Sequence, residues 1–87
     1  MSNDEQEIIP VEYVDIESIY IPSIFTNHPV SDKKIRKVQL YYDIFHRLDK
    51  PITLFSSDNR LMLDGYARFV FALSRNLKEV PVIYRGF

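Results

Sequence analysis

At 87 residues the chain suffices for one small domain, whose folding buries only about two-thirds of the surface exposed by the unfolded form. A 46% hydrophobic and 26% charged content is ordinary for a globular protein, and twelve aromatic residues supply a small core with large side chains. The absence of Cys excludes disulfides, thiolate nucleophiles and zinc–thiolate sites.

The net charge of −1 conceals an asymmetry. Residues 1–32 hold seven acids (Asp4, Glu5, Glu7, Glu12, Asp15, Glu17, Asp32) and no Lys or Arg. Residues 33–87 hold eleven bases against five acids. A basic face with an acidic arm is the expectation. The acidic start lacks an apolar signal region, and no apolar run approaches the ~18 residues of a membrane span. No membrane association and a cytoplasmic location are therefore expected.

Residues 1–10 read as a flexible acidic arm, and 11–87 as the domain. From Glu12 to Ile16 a loose alternation predicts a half-buried strand. Ser18 to Ile21 predicts a turn or second strand piece, and Pro22 to Val30 a loop containing Asn27, His28 and Pro29. Ser31 is suited to cap a helix and Asp32 to occupy its first turn. Ile35, Val38, Tyr41, Tyr42, Phe45 and Leu48 then recur at helical spacing, and Pro51 sets the expected end near Asp49.

Ile52–Phe55 and Arg60–Leu63 flank Ser56-Ser57-Asp58-Asn59, a hairpin pattern. A helix is predicted over Gly65–Asn76, with Tyr66, Phe69, Val70, Leu73 and Leu77 as its main buried stripe. Asn76 suits the left-handed conformation that ends a helix, and Glu79–Tyr84 predicts the last strand. The fold class is α+β, with a mixed sheet of about four strands and two main helices.

Asp64-Gly65-Tyr66-Ala67-Arg68 is the leading candidate site. An Asp-Gly step from strand into helix can cap the helix while leaving its first N–H groups open to a phosphate or carboxylate. Gly65 would let a ligand approach the backbone, and Arg68 can add bidentate charge. Tyr66 belongs to the same turn, and His28 is a candidate ligand-binding residue from the preceding loop. Lys33, Lys34, Arg36 and Lys37 set four bases at a helix start, where the helix dipole disfavours cations, so weak nucleic-acid binding is a second expectation. Neither His28 nor His46 has carboxylates at metal-binding spacing, and no metal site is predicted.

The run Leu-Asp-Gly-Tyr-Ala-Arg-Phe, with Asn-Leu-Lys-Glu-Val-Pro-Val downstream, resembles the ParB/sulfiredoxin superfamily, in particular the ParB N-terminal or "ParB-like nuclease" domain in a short, stand-alone form. The likeness covers about residues 11–84. ParB proteins carry Gly-Glu-Arg-Arg at this turn, where CTP phosphates bind; free-serine kinases carry Asp-Gly-His-His-Arg, and sulfiredoxins Gly-Cys-His-Arg. Asp64, Gly65 and Arg68 match these patterns, whereas Tyr66 and Ala67 depart. Tyr66 replaces the sulfiredoxin thiolate, which excludes that chemistry. Ala67 replaces an Arg or His, which removes a phosphate clamp or general base. The helical DNA-reading and dimerisation parts that follow this domain in partition proteins are not expected, since the sequence stops at Phe87.

The resemblance implies a nucleotide-, phosphate- or nucleic-acid-linked binding domain without catalysis. The alternatives are a protein-interaction or regulatory module with a degenerate pocket, and a phosphotransferase or nuclease. The cofactor is left open, a nucleotide with Mg²⁺ being the candidate. The expected partners are a nucleotide, a nucleic acid or another protein.

Overall fold

Local chemistry sets most element boundaries in the computed structural model, which describes residues 11–86. The predicted flexible arm, residues 1–10, lies outside the described residues. Strand β1 covers Glu12–Asp15 and runs into a 3-10 turn, Ile16–Ser18, where Asp15 accepts from the Glu17 N–H at 2.8 Å. Tyr20 then bridges Leu61 in parallel, so the segment expected as a strand piece does lie along the hairpin. Pro22 starts a feature that the loop reading omitted: α1, a single turn over Ser23–Thr26. Its fixed φ suits a helix start.

Ser31 caps helix α2 (Asp32–Phe45), its Oγ accepting from the Lys34 N–H at 3.3 Å. The helix stops before the expected Asp49 because His46 adopts φ 59° and donates its N–H to the Tyr42 carbonyl at 2.7 Å. That left-handed exit directs Leu48 into the core and leaves Phe45, expected inside, 52% exposed.

Strands β2 (Ile52–Leu54) and β3 (Met62–Asp64) form the expected antiparallel hairpin, with a register shift between Thr53 and Leu54. Helix α3 covers Tyr66–Ser74; Asn76, at φ 58°, follows its end, and the Leu77 N–H bonds the Ala72 carbonyl at 3.0 Å. Strand β4 (Glu79–Tyr84) pairs antiparallel with β1 and parallel with β2, giving the sheet order β1-β4-β2-β3.

One sheet face contributes Val14, Val80, Val82, Ile52, Leu54 and Met62 to the core, each at most 4% exposed. Along β4, Val80 and Val82 are buried while Pro81 and Ile83 are half-buried, the period of two expected of a strand. The helices add Val38, Phe69, Phe71 and Ala72. Phe71 and Ala72, rather than Leu73, face the core: Leu73 is 49% exposed, which corrects the predicted stripe. On this largely apolar helix the periodicity could not select the inner side, and packing against Tyr42 did so (ring centroids 5.3 Å apart). The result is the α+β domain anticipated, with a four-stranded mixed sheet. No helix among the described residues is long and apolar enough to cross a membrane.

Candidate functional site

The end of β3 delivers Asp64 and Gly65 to one side of a cleft of about 710 Å³. Gly65 takes φ 104°, and a Cβ there would meet the Ile52 Cα at 3.2 Å. The position requires glycine because β2 packs against it, which is a different reason from the ligand approach expected. Asp64 does not cap α3 as predicted. Its Oδ1 accepts from the Gly65 N–H at 2.9 Å, while Gly65 itself is the N-cap and offers no side chain. The first bond into the helix runs from the Phe69 N–H to the Gly65 carbonyl, 3.0 Å. The N–H groups of Tyr66, Ala67 and Arg68 find no acceptor among the described residues. They form an anion-attracting end.

Arg68, one turn into α3, does not lie free. Its Nε donates to Asp49 Oδ1 at 2.8 Å and its Nη2 to Asp49 Oδ2 at 2.9 Å, a bidentate pair whose side chains are 20% and 25% exposed. Those hydrogen bonds hold the Asp49 carboxyl below its ordinary 3.8, against the opposing effect of partial burial. Asp49 and Lys50 both line the cleft, and sequence reasoning assigned a site role to neither. The signal available was weak: two charged residues immediately before Pro51, with nothing to reveal a partner nineteen positions away.

The two groups of candidate residues, read separately in the sequence, partly converge. Lys34 and Lys37 from α2 line the cleft together with Asp64, Gly65, Tyr66 and Arg68. Lys33 and Arg36 do not, because their positions put them elsewhere on the exposed surface of α2. His28 also lines the cleft, held by an Nδ1 contact of 2.8 Å with the Ile24 carbonyl. A carbonyl only accepts, so Nδ1 carries the proton of this contact. The lining also includes an apolar group of Ile24, Phe25, Pro29, Val30 and Tyr66, with the Phe25 and Tyr66 rings 5.6 Å apart.

The cleft thus offers four cationic side chains (Lys34, Lys37, Lys50, Arg68), two carboxylates and an apolar wall. One carboxylate, Asp49, is committed to Arg68, so a Mg²⁺ ion carried by a nucleotide would find only Asp64 uncommitted to a cation. No group of three or more His, Cys, Asp or Glu side chains among the described residues is arranged to hold a metal.

No protein-family model matches the sequence, and no curated protein matches it. Similarity is found among solved structures. Sulfiredoxin from Arabidopsis thaliana superposes with a TM-score of 0.72 at 15% identity, over 90% of this chain and 86% of that one. A free serine kinase solved in complex with AMP gives 0.70 at 14% identity, over 91% of this chain and 32% of the kinase. The C-terminally truncated chromosome-partitioning protein ParB from Caulobacter crescentus, complexed with CTP-gamma-S, gives 0.66 at 17% identity, over 90% and 45% respectively. The chain therefore spans most of the sulfiredoxin but less than half of the kinase and ParB chains. At these identities the likeness concerns the backbone, and it agrees with the element order β1-α1-α2-β2-β3-α3-β4 described above. The protein has the ParB/sulfiredoxin-like fold.

Proposed function

We propose that the cleft binds a small phosphorylated ligand of the nucleotide class and performs no catalysis. The observation that carries this reading is the meeting, in one cleft, of the unpaired N–H groups at the start of α3 with Lys34, Lys37 and Lys50. The N–H groups and ammonium groups suit phosphate oxygens, and the Phe25–Tyr66 wall suits the flat apolar face of a base. Two proteins of this fold, the kinase and ParB, were solved with AMP and CTP-gamma-S, which supports a nucleotide over a simple anion. The absence of Cys, and Ala67 at the turn, support binding without chemistry. A cytoplasmic nucleotide pool is the setting this reading requires.

Calorimetry with a panel of nucleotides, with and without Mg²⁺, tests the reading. Arg68→Ala should weaken binding by about 1–3 kcal/mol, the scale of a charge-assisted hydrogen bond. Lys34→Ala and Lys37→Ala should weaken it without disturbing the Arg68–Asp49 pair. No heat and no thermal stabilisation at millimolar nucleotide would overturn the proposal.

The bidentate engagement of Arg68 by Asp49 favours a second reading, an interaction or regulatory module whose pocket has lost its ligand. Under it, Asp49→Asn, which frees Arg68, would create phosphate affinity that the parent lacks. Weak, strongly salt-dependent nucleic-acid binding through Lys33, Lys34, Arg36 and Lys37 would extend either reading.

A further inference from the structure

Helix α2 carries two adjacent rows of side chains at four-residue spacing, Arg36-Leu40-Ile44 and Lys33-Lys37-Tyr41-Phe45. Each row is basic at the helix start and apolar towards its end. Leu40 is 63% exposed, Ile44 60% and Phe45 52%, and the half-buried Tyr41 sets its ring 4.5 Å from that of Phe45. Lys33, Arg36 and Lys37 are exposed, and none has a carboxylate partner among the described residues. Of the two acids of α2, Asp43 is tied to Arg75 at 3.1 Å and Asp32 lies in the first turn. Of these seven row residues Lys37 alone lines the cleft, so the surface is distinct from it.

The apolar side chains on this short stretch of helix call for a cover, and the bases beside them select it. A second copy would bring three unpaired bases of each chain into one two-fold interface, which like-charge repulsion opposes. Four partly exposed side chains also fall well short of the roughly 800 Å² per partner of a stable dimer. Nucleic acid would satisfy the bases but leave Leu40 and Ile44 uncovered. An anionic lipid surface asks for an apolar face along the whole helix, and here it spans only residues 40–45. Acids followed by apolar groups, displayed at helical spacing, match both halves.

We propose that this face of α2 docks an acidic amphipathic helix of another protein. Its carboxylates meet Lys33, Arg36 and Lys37, and its apolar side chains pack on Leu40, Tyr41, Ile44 and Phe45. Two helices laid side by side need no preformed groove, because the side-chain ridges of one fill the furrows of the other. At 14 residues α2 offers about 21 Å of length, at ~1.5 Å per residue, which accommodates a partner of about four turns. The charges speed the encounter and set the register, and the apolar contacts slow the release. The docking does not depend on the cleft binding a nucleotide.

The test titrates the isotopically labelled protein with a synthetic helical peptide. The peptide carries Glu over its first two turns and Leu, at i, i+3, i+4 spacing, over the next two. Amide shifts should map to residues 33–45 and saturate, and binding should weaken as salt is raised. Leu40→Ser with Ile44→Ser, both at exposed positions, should weaken binding by about tenfold or more, as should Lys33→Glu with Lys37→Glu. Thermal melts of both variants check that the fold is retained. A control peptide with Lys in place of Glu should not bind. No shifts at about 1 mM peptide, or shifts centred elsewhere, would overturn the proposal. So would binding that resists the two Ser substitutions but fails on charge reversal, since a bare charged surface would explain it. Dimerisation of the parent that Leu40→Ser abolishes would assign the face to a second copy instead. Tighter binding to phosphatidylserine vesicles than to the peptide would assign it to a membrane.

Discussion

Arg68 in α3 and Arg75, the residue that caps its end, lie two turns apart, and each reaches a carboxylate of the α2–β2 region, yet their surroundings differ. Arg68 grips Asp49 with two hydrogen bonds of 2.8 and 2.9 Å at the rim of the cleft. Arg75 makes a single contact of 3.1 Å with Asp43, in a more exposed setting, and spends its flat face on packing. Its guanidinium stands 4.8 Å from the Phe71 ring centroid and 5.7 Å from that of Tyr42. One arginine is fixed in position beside unpaired helix N–H groups. The other covers an aromatic pair and closes the helix interface. The same residue type on one helix serves the site at one end and packing at the other, and partner geometry distinguishes the two roles.

The largest effect should come from removing what Arg75 rests on. Phe71 is 2% exposed, and Phe71→Ala should cost about 3–5 kcal/mol, enough to unfold much of a domain this small. Chemical denaturation measures it; a loss under ~1 kcal/mol would show that the aromatic pair is not the anchor of the helix interface.

Gly65→Ala should cost about 1–3 kcal/mol, because φ 104° is strained for any side chain and Ile52 backbone stands 3.2 Å from the added carbon. The fold should survive, so ligand binding can be compared at a temperature where both proteins are native.

A double-mutant cycle over Arg68 and Asp49 should give a coupling of about 1 kcal/mol, and the cycle over Arg75 and Asp43 about half that. Equal couplings would mean that bidentate geometry confers nothing here beyond one exposed contact. Arg75→Lys should lose the stacking as well as part of the pair, whereas Asp43→Asn should cost little.

The smallest effect is a difference in acid response. Because Arg68 holds the folded Asp49 carboxyl below 3.8, the pair adds stability above that pH. The contribution fades as pH falls through the lower folded value. Asp49→Asn should therefore flatten the acid side of the stability curve below about pH 4, a change that pH-dependent melting would register. Asp43→Asn should leave that region nearly unaltered.

The two arginines also mark where a sequence can be read. Ser31 as cap, Asn76 as a left-handed exit and the hairpin around Ser56–Asn59 were legible because each depends on neighbours within a few positions. The end of α2 was not. Pro51 forbids helix only close to itself, while the choice of His46 over Asp49 follows from burying Leu48. Leu73 and Phe71 exchanged places because a helix apolar on most sides leaves its orientation to tertiary contacts. In the cleft, Asp64, Gly65, Tyr66 and Arg68 were visible as one contiguous motif. Asp49 and Lys50 became part of it only through folding, as did the convergence of Lys34, Lys37 and His28 on the same cavity.

Strand β4, described above as pairing with β1 on one side and β2 on the other, bears on how the protein is made. It is an inner strand drawn from residues 79–84, whereas its neighbours come from residues 12–15 and 52–54. During synthesis the helices and the hairpin can form from local contacts, but β1 has no partner until the final strand leaves the ribosome. Sheet closure is thus a late, long-range event, and until then the edges of β1 and β2 that β4 joins lack their hydrogen-bond partner. A released chain ending before residue 79 should be cut readily by proteases, and restoring residues 79–87 should render it resistant.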